Sequence, residues 1–400
     1  MRRVLYLWLP SWPIDRRRRA AAIDSRRKSS AAPADEAPFA TVIDTIGRRL
    51  LAAVNRAAIE AGLMPGMPLA DALSFLPGLT TAAAEPMKDA AALRRLAEWC
   101  GRYSPWTAPD GADGVKIEIA GSAHLWGGEA ALAADLATRL GRQGIAGRIA
   151  IADTLGAAWG LARCAATDRG AAVQPSGDRR AGLAPLPVEA LRLDPATAQG
   201  LRRVGLKRVG ELWAMPRAAL VRRFGEAVAR RLDQAEGDLP EPLSPLGETP
   251  ERRVRIGWPE PIADPADFAH AIERLAADLV RRLACEGMGA RRLDLAFYRV
   301  DGRVEHIRIG TARPSRDPHH LAALFNEKLD TVDPGLGVED MILAAFAVEP
   351  SAPEQLGLVG EAGGGGAAAP LLDRLGNRLA LYRLEPRASH IPERASVRVP

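Results

Sequence analysis

The sequence predicts an α+β protein of several domains, and three observations lead to that prediction. At 400 residues the chain is longer than one hydrophobic core normally accommodates. Short apolar strands alternate with helical stretches over residues 4–165, and a wholly helical stretch follows over residues 187–237. A strand–helix–strand–strand–helix–strand order then occupies residues 254–348. Elements in this order favour sheets layered with helices.

The composition excludes several classes of protein and favours a polyanionic partner. Lys and Arg number 54 against 49 acidic residues, which gives a net charge of +5. The arginines cluster, as in Arg16 to Arg19, and clustered cations suggest nucleic acid, although each group alone also fits a solvated surface. The 3 cysteines form no CxxC motif, so we expect no disulfide framework, no metal and no cofactor. No apolar run approaches the ~20 residues of a membrane span, so we expect a cytoplasmic protein with no membrane partner.

Apolar periodicity and turn residues place the elements in the first part of the chain. Strands are predicted at Val4–Leu9, Phe39–Asp44, Val115–Ile119 and Arg148–Ala152. Helices are predicted at Gly47–Ala61, Leu69–Phe75, Lys88–Arg102, Glu129–Gly141 and Leu155–Ala165. The segment Ser25–Pro38 is polar and low in complexity, so we expect a loop there.

The helical stretch contains a candidate DNA-binding hairpin, Leu201–Leu212. Its apolar residues are spaced to pack two short helices together, and Gly205 permits a tight turn between them. A hairpin of this form presents backbone N–H groups to a DNA phosphate, while Arg202, Lys207 and Arg208 supply positive charge. The alternative interpretation is an ordinary αα-hairpin without a ligand.

The remainder of the chain begins with a Pro-rich segment at 241–250, which is typical of a linker. The arginines Arg252 and Arg253 follow it as candidate DNA contacts. The next elements are predicted at Val254–Trp258, Pro265–Cys285, Arg291–Val300, Val304–Ile309, His319–Leu329 and Asp340–Val348. That βαββαβ order is the ferredoxin-like split pattern. A glycine-rich linker follows at Gly363–Ala369.

These pieces resemble the lesion-bypass (Y-family) DNA polymerases over nearly the whole chain. The turn Gly62-Leu-Met-Pro-Gly66-Met-Pro68 is similar to the end of the family's fingers helix, and Tyr103-Ser-Pro105 precedes a palm strand as it often does in the family. The resemblance implies a ferredoxin-like palm with fingers, a helix-hairpin-helix thumb and a βαββαβ little finger. The divisions expected are palm 1–46 and 86–175, fingers 47–85, thumb 176–240, linker 241–250, little finger 251–350, a clamp-binding peptide with flexible linker 351–370, and a tail 371–400.

The sequence departs from the family at the residues that hold the catalytic metals. Polymerisation by this fold requires two Mg²⁺ ions bound by carboxylates. Aligning the first strand with the family's places Trp8 at the first metal-binding Asp, and aligning Ala123-His-Leu-Trp126 places Gly121 and Ser122 at the Asp-Glu pair. Glu118, the nearest acid in this alignment, lies ~10–13 Å away along the strand, too far to substitute. We therefore expect no catalytic residue and no metal.

Longer strings resemble one branch of the family, the ImuB-type proteins of inducible mutagenesis cassettes. They are Leu-Tyr-Leu-Trp-Leu-Pro-Ser-Trp-Pro-Ile-Asp at 5–15, Gly121–Glu129 and Ser389–Arg394. The resemblance implies a noncatalytic adaptor that binds primer-template or single-stranded DNA in the nucleoid. It also implies three protein partners: a sliding clamp, an error-prone replicative-type polymerase and a recombinase-like cassette partner. Two alternatives remain: an active Y-family polymerase with atypical metal ligands, and a DNA-binding protein with no role in damage tolerance.

A candidate clamp-binding peptide lies before the glycine linker. Sliding clamps accept a short extended segment with a Gln followed by spaced apolar residues, a peptide-in-groove mode of recognition. Gln355 supplies the polar anchor, Leu356 and Leu358 the apolar plugs, and Val359 stands where an aromatic residue is common. The alternative is a linker with two leucines by chance.

Overall fold

The computed structural model describes residues 2–28, 37–167, 170–247, 252–351, 369–377, 383–386 and 396–399. The chain divides into two compact units, Met1–Gly247 and Glu248–Pro400. No helix among the described residues is long and apolar enough to cross a bilayer.

The first unit mixes strands and helices, as the sequence predicts. Its strands are β1 (Val4–Trp8), β2 (Phe39–Thr45), β3 (Arg48–Val54), β4 (Thr80–Ala83), β5 (Thr107–Asp110), β6 (Gly114–Glu118), β7 (Arg148–Ala152) and β8 (Ala172–Val173). Its helices are α1 (Trp12–Lys28), α2 (Arg56–Glu60), α3 (Leu69–Phe75), α4 (Pro86–Cys100), α5 (Glu129–Arg142), α6 (Leu155–Cys164), α7 (Pro195–Arg203), α8 (Val209–Trp213), α9 (Arg217–Phe224) and α10 (Glu226–Glu236).

The palm sheet has the strand order β5-β6-β1-β7-β8, with β1 paired antiparallel to both β6 and β7. Because β1 lies between β6 and β7, the β6–α5–β7 unit is split by one strand, which is the ferredoxin-like arrangement expected for the palm. Alternate β1 side chains face opposite sides. Val4 and Tyr6 pack against α6, whereas Leu7 lies beside Leu140 of α5. Both faces of the sheet are therefore covered.

The fingers contain a small sheet in the order β3-β2-β4, so they include β2, which the expected boundary after residue 46 assigned to the palm. One secondary-structure prediction is also wrong here. The helix predicted over Gly47–Ala61 is a strand, β3, followed by the short helix α2. Gly47 adopts a φ of 73° and turns the chain back along β2, so β3 is held by ladder hydrogen bonds rather than helical ones. The side chain of Asn55 then accepts from the N–H of Ala58 and starts α2.

The N-terminal helix α1 also corrects a prediction. The loop expected over Ser25–Pro38 is helical as far as Lys28, because α1 continues unbroken from Trp12. Residues 29–36 lie outside the described residues. Trp12 is buried, and its indole donates to the carbonyl of Asp89 at 2.9 Å, which ties α1 to α4.

The thumb is wholly helical from α7 to α10, which confirms the predicted helical character of residues 187–237. Leu201, Val209 and Leu212 are buried in its core, and Gly205 makes the turn between α7 and α8 with a φ of 89°. After α10, Leu243 is buried and the N–H of Leu246 donates to Thr107 at 3.0 Å. The first residues of the predicted linker are thus a fixed part of the first unit.

The second unit is built on a four-stranded antiparallel sheet with two main helices. Its elements are β9 (Arg252–Ile262), α11 (Pro265–Cys285), β10 (Met288–Arg299), β11 (Val304–Ser315), α12 (Pro318–Asn326), β12 (Val338–Pro350), α13 (Ala369–Gly376), β13 (Arg383–Pro386) and β14 (Ser396–Val399). The strand order is β11-β10-β12-β9, so β12 splits the β9–α11–β10 unit and β10 splits the β11–α12–β12 unit. The predicted βαββαβ order and its split arrangement are confirmed. Helices α11 and α12 cover one face of this sheet.

Helix α13 covers the outer edge of β11. The side-chain carbonyl of Asn377 accepts from the N–H of Gly310 at 3.0 Å, and its amide donates back to the Gly310 carbonyl at 2.9 Å. The carboxylate of Asp373 accepts from the N–H of Ala312 and lies 2.8 Å from Nε2 of His320. These side chains satisfy backbone groups that an edge strand would otherwise present to another chain.

Candidate functional site

The strand register separates the three positions at which the sequence alignment expected the lost acids. Trp8 pairs with Gly114, and Val4, at the other end of β1, pairs with Glu118. Gly121 and Ser122 come after Glu118, so they lie beyond the opposite end of β1 from Trp8, more than ~13 Å along the strand. The prediction that Trp8, Gly121 and Ser122 share one site is therefore wrong, because β6 runs antiparallel to β1.

The structure places Asp113 beside Trp8 instead. Asp113 ends the turn between β5 and β6, and its carbonyl accepts from the N–H of Leu9 at 2.8 Å. The indole Nε1 of Trp8 donates to Oδ2 of Asp113 at 2.9 Å. The sequence reasoning missed this carboxylate. Its signal is the Asp-Gly dipeptide at 113–114, a hairpin turn that sets the start of β6 against the end of β1.

Arg163, from the last turn of α6, completes this site. Its guanidinium binds both carboxylate oxygens of Asp113, at 2.6 and 3.1 Å, in a bidentate ion pair. Its central carbon lies 4.9 Å from the ring of Trp8 and 4.5 Å from the ring of Trp159. Burial alone would lower the pKa of Arg163, but the hydrogen bond and charge of Asp113 outweigh burial and the pKa is raised. A second guanidinium, that of Arg148, lies 5.2 Å from the Trp8 ring.

The neighbouring carboxylate, Asp110, is also engaged. Its Oδ2 accepts from the hydroxyl of Tyr6 at 3.0 Å, and Lys116 lies 3.4 Å from its Oδ1. Burial, followed by the charge of Asp110, raises the pKa of the Tyr6 hydroxyl, so tyrosine stays neutral. A Cβ atom added to Gly114 would lie 2.0 Å from that hydroxyl oxygen. No side chain therefore fits at the residue directly opposite Trp8.

These residues do not fit the divalent metals that the Y-family resemblance implies. A two-metal site needs several carboxylate oxygens converging on ions about 3.5–4 Å apart. Here the carboxylate of Asp113 is taken up by Arg163 and Trp8, and Gly114 offers no ligand. Elsewhere in the described chain, three acidic groups converge near the end of α10, but each pairs with an arginine: Asp233 with Arg217, Glu236 with Arg180 and Asp238 with Arg179.

The predicted thumb hairpin forms, but its backbone N–H groups are already occupied. The carboxylate of Glu211 accepts from the N–H groups of Arg208, at 3.1 Å, and Lys207, at 2.6 Å. These bonds hold the pKa of Glu211 below its ordinary value. The N–H groups of Val209 and Gly210 donate to carbonyls of the preceding segment. The expected presentation of free N–H groups to a phosphate is therefore wrong, because the hairpin caps itself.

The cations of the hairpin remain at its surface. Arg202, Lys207 and Arg208 line one surface pocket together with two prolines, and all three side chains are exposed. Arg202 forms an ion pair with Glu189 at 2.9 Å. Within the described ranges, Lys207 and Arg208 enter no ion pair. The sequence prediction that these three cations lie together is thus matched by the geometry, with Lys207 and Arg208 the more available.

In the little finger, Arg252 and Arg253 point to opposite faces of the sheet, because they are neighbours on one strand. Arg252 pairs with Ala345 and forms an ion pair with Glu286 at the end of α11. Arg253 pairs with Ala344, on the face away from the helices. The two predicted DNA contacts therefore lie on opposite faces of this sheet.

The face opposite the helices carries a set of charged side chains. Arg255 forms an ion pair with the fully buried Asp340. Asp294 accepts from Nδ1 of His306 at 3.0 Å and lies 3.3 Å from Nε of Arg308. The registers of β9, β10 and β11 place these groups on the same face as Arg253. The side chain of Arg308 is 77% exposed, which makes it the most available of the charged groups in these pairs.

The candidate clamp-binding residues, Gln355, Leu356, Leu358 and Val359, lie outside the described residues. The structure therefore leaves that prediction as it stands.

The fold places the chain in a known class of protein. A solved insertion ternary complex of Dbh DNA polymerase superposes with a TM-score of 0.50 at 13% sequence identity, over 86% of this chain and 98% of that one. The impB/mucB/samB family matches residues 35–163, and the C-terminal domain of that family matches residues 254–358. The fold is therefore that of a Y-family polymerase-like protein.

Individual relatives narrow the class. Protein ImuB of Caulobacter vibrioides is 47% identical over 343 residues, which cover 84% of this chain and 74% of that protein. DNA polymerase IV of Streptomyces coelicolor is 32% identical over 184 residues, 44% of this chain and 38% of that protein. The chain belongs to the ImuB family.

Proposed function

We propose that this protein is a noncatalytic DNA-binding adaptor in damage-induced mutagenesis and translesion synthesis. The observation that carries the proposal is the chemistry where β1 ends. Polymerisation requires carboxylates that hold two metal ions. At this strand end, Trp8 and Arg163 surround the carboxylate of Asp113, and Gly114 has no room for a side chain. This arrangement supports a palm that retains the polymerase-like fold without catalysing polymerisation.

DNA binding is proposed to rest on phosphate contacts from exposed cations. Lys207 and Arg208 share a surface pocket of the thumb, and the exposed Arg308 lies on the sheet face of the little finger. Such contacts position a protein on DNA without reading bases. The net charge of +5 is consistent with this mode of binding.

The partners are proposed from the family to which the chain belongs. We propose a sliding clamp bound through Gln355, Leu356, Leu358 and Val359, together with an error-prone replicative-type polymerase and a recombinase-like cassette partner. The protein would then work in the cytoplasm, associated with the nucleoid. A titration of the clamp with the full chain tests the peptide: changing Gln355 and Leu358 to Ala is expected to abolish binding, and unchanged affinity rejects it. Changing Gln143 to Ala, at the C-cap of α5, provides the control.

Primer extension tests the absence of catalysis. The full chain is incubated with a primed template, all four nucleotides and Mg²⁺ or Mn²⁺, and DNA binding is measured on the same preparation. Binding without extension is expected. Template-dependent extension that survives stringent purification would support the rival function, an active Y-family polymerase with atypical metal ligands, of which Asp113 and Asp110 would be the first to change.

A further inference from the structure

We infer that the guanidinium of Arg163 is a resident cation of the palm, which neutralises Asp113 in place of a divalent metal and holds the end of β1 in its fold. This inference rests on the proposed absence of catalysis and adds to it a specific role for one side chain. It explains how the palm stays folded around a half-buried carboxylate at its strand end.

Arg163 and Asp113 form a bidentate ion pair. Arg163 binds both oxygens of Asp113, and Trp8 donates to the oxygen Oδ2 as well. The side chains of Arg163 and Asp113 are only 21% and 33% exposed. A half-buried carboxylate needs a compensating charge, and the planar guanidinium supplies it with two directed hydrogen bonds.

The guanidinium of Arg163 also packs against aromatic rings. It lies between two tryptophan rings, 4.9 Å from Trp8 and 4.5 Å from Trp159. Indole rings are the aromatic side chains that attract cations most strongly. At this strand end Trp8 therefore both donates to the carboxylate of Asp113 and packs against the guanidinium of Arg163.

The same group of side chains also connects the palm to the thumb. The Trp159 ring also lies 5.5 Å from the guanidinium of Arg192, which leads into α7. Arg192 in turn binds Glu241 at 2.7 Å, and the Glu241 carbonyl accepts from Arg2 at 2.6 Å. Arg192 adopts a φ of 55°, which is uncommon for a residue other than glycine and indicates that these contacts fix it in place. Replacing Arg163 should therefore weaken the packing of α6 against both the palm sheet and the thumb.

The residues at this position do not fit a metal ion. A carboxylate introduced at Trp8 would face an Asp113 carboxylate that Arg163 already binds, and Gly114 cannot carry a further ligand because Tyr6 fills the space of its Cβ. Restoring one acid would thus create a second partner for Arg163 and not a metal site.

The experiment uses the full chain and compares Mn²⁺ binding with thermal stability. Mn²⁺ is titrated into the wild type, Trp8→Asp and Asp113→Asn, with free Mn²⁺ followed by electron paramagnetic resonance. All three are expected to bind the same number of ions, and neither Mn²⁺ nor EDTA should move the Tm of the wild type. Arg163→Met should lower the Tm by roughly 5 °C or more, and Arg163→Lys by less, because it keeps the charge and loses the bidentate geometry.

A double-mutant cycle separates a specific pair from general packing. Asp113→Asn combined with Arg163→Met should cost clearly less than the sum of the single changes, because neither partner is then left uncompensated. An extra Mn²⁺ site in Trp8→Asp with a sub-millimolar Kd, a Mn²⁺ site lost in Asp113→Asn, or additive Tm shifts would each overturn the inference. If Trp8→Asp does not fold, the other variants decide. Primer extension by the wild type would instead reject the proposed function, so the two failures are distinguishable.

Discussion

The palm sheet and the little-finger sheet share a split βαβ plan but place their charged groups differently. In the palm, helices cover both faces, and charge gathers where the strands end, at Asp113 and Arg163 beside Trp8. In the little finger, α11 and α12 cover one face, and charged pairs such as Arg255 with Asp340 line the other. The same split βαβ arrangement therefore has a packed strand end in the palm and a charged sheet face in the little finger.

The two regions differ in how accessible their charged side chains are to a binding partner. The side chain of Arg163 is 21% exposed and is bound to a carboxylate on both of its terminal nitrogens. The side chain of Arg308 is 77% exposed and, among the described residues, is paired with Asp294 at 3.3 Å. A buried, bidentate arginine stabilises the fold, whereas an exposed, singly held one is free to reorganise around a phosphate.

The largest expected effect comes from adding a methyl group to the palm. Gly114→Ala would bring a Cβ within 2.0 Å of the Tyr6 hydroxyl and 2.9 Å of the Asp110 carbonyl, so the strand must shift. We expect a loss of about 3 kcal/mol or more in the free energy of unfolding, measured by chemical denaturation of the full chain.

The same substitution in the little finger provides the matched control. Among the described residues, only the Arg291 carbonyl lies near the Cβ position of Gly310 in β11, at 3.8 Å. Gly310→Ala should therefore change stability by less than about 1 kcal/mol, and in the stabilising direction if backbone entropy dominates. Equal losses in the two variants would contradict the closed packing assigned to the palm strand end.

The sequence could predict most of the fold but not the pairing that builds the site. The little-finger elements were clear because Asp264-Pro265 and Asp317-Pro318 mark helix starts between strongly apolar runs. The stretch Arg48–Val54 is rich in Leu, Ala and Arg, which suit a helix equally well, so only the turn at Gly47 and pairing with β2 decide that it is a strand.

The string Gly121–Glu129 indicates the correct family, but the alignment built on it places the lost acids at the wrong positions in the palm. A run of residues along one strand does not reveal which residue faces Trp8, since that depends on the register between β1 and β6. Antiparallel pairing brings the beginning of β6, and hence Asp113, to the end of β1. That pairing was not visible in the order of residues alone.

Two buried carboxylates extend the comparison: Asp15 of α1 and Asp340 of the little finger. Burial raises the pKa of Asp15 to about 6, and it outweighs the backbone N–H of Ala146, which donates at 3.0 Å, and the charge of Arg18, 4.0 Å away, both of which lower the pKa. Since the folded pKa lies above the unfolded one, this contribution to stability is complete below the unfolded pKa and is lost as pH rises through 6. The loss should amount to roughly 2–3 kcal/mol between pH 4 and pH 7.

Asp15→Asn should remove that pH dependence and raise stability at pH 7.5 relative to the wild type, as measured by urea denaturation across this range. Asp340→Asn is the contrasting variant, because Asp340 is fully buried and ion-paired with Arg255, and the substitution removes one charge of that pair. It should destabilise at pH 7.5. A stabilising Asp340→Asn, or an Asp15→Asn curve parallel to the wild type, would contradict the assignment.

The third prediction concerns the protected edge of β11. Changing Asp373 and Asn377 together to Ala removes the side chains that bind the edge groups of Gly310 and Ala312. We expect a modest loss of about 1–2 kcal/mol and concentration-dependent self-association, because an unprotected edge pairs with other chains. Sedimentation at several concentrations measures the association. Changing the exposed Leu371 to Ala should leave the edge contacts in place, so association by that variant alone would point to the apolar side of α13 instead.

The smallest effects are expected from single cations on the DNA-binding surfaces, and they test the comparison most directly. Lys207→Ala in the thumb and Arg308→Ala in the little finger should each weaken DNA binding several-fold at low salt and reduce the slope of log affinity against log salt by ~0.9. Arg281→Ala is the control, because its side chain is 76% exposed but lies on α11, on the helix side of the sheet, paired with Asp278. Fluorescence anisotropy with a primed template at several salt concentrations gives both quantities. If Arg281→Ala lowers the slope as much as Arg308→Ala does, the charged sheet face has no special part in binding and only the overall charge of the unit matters.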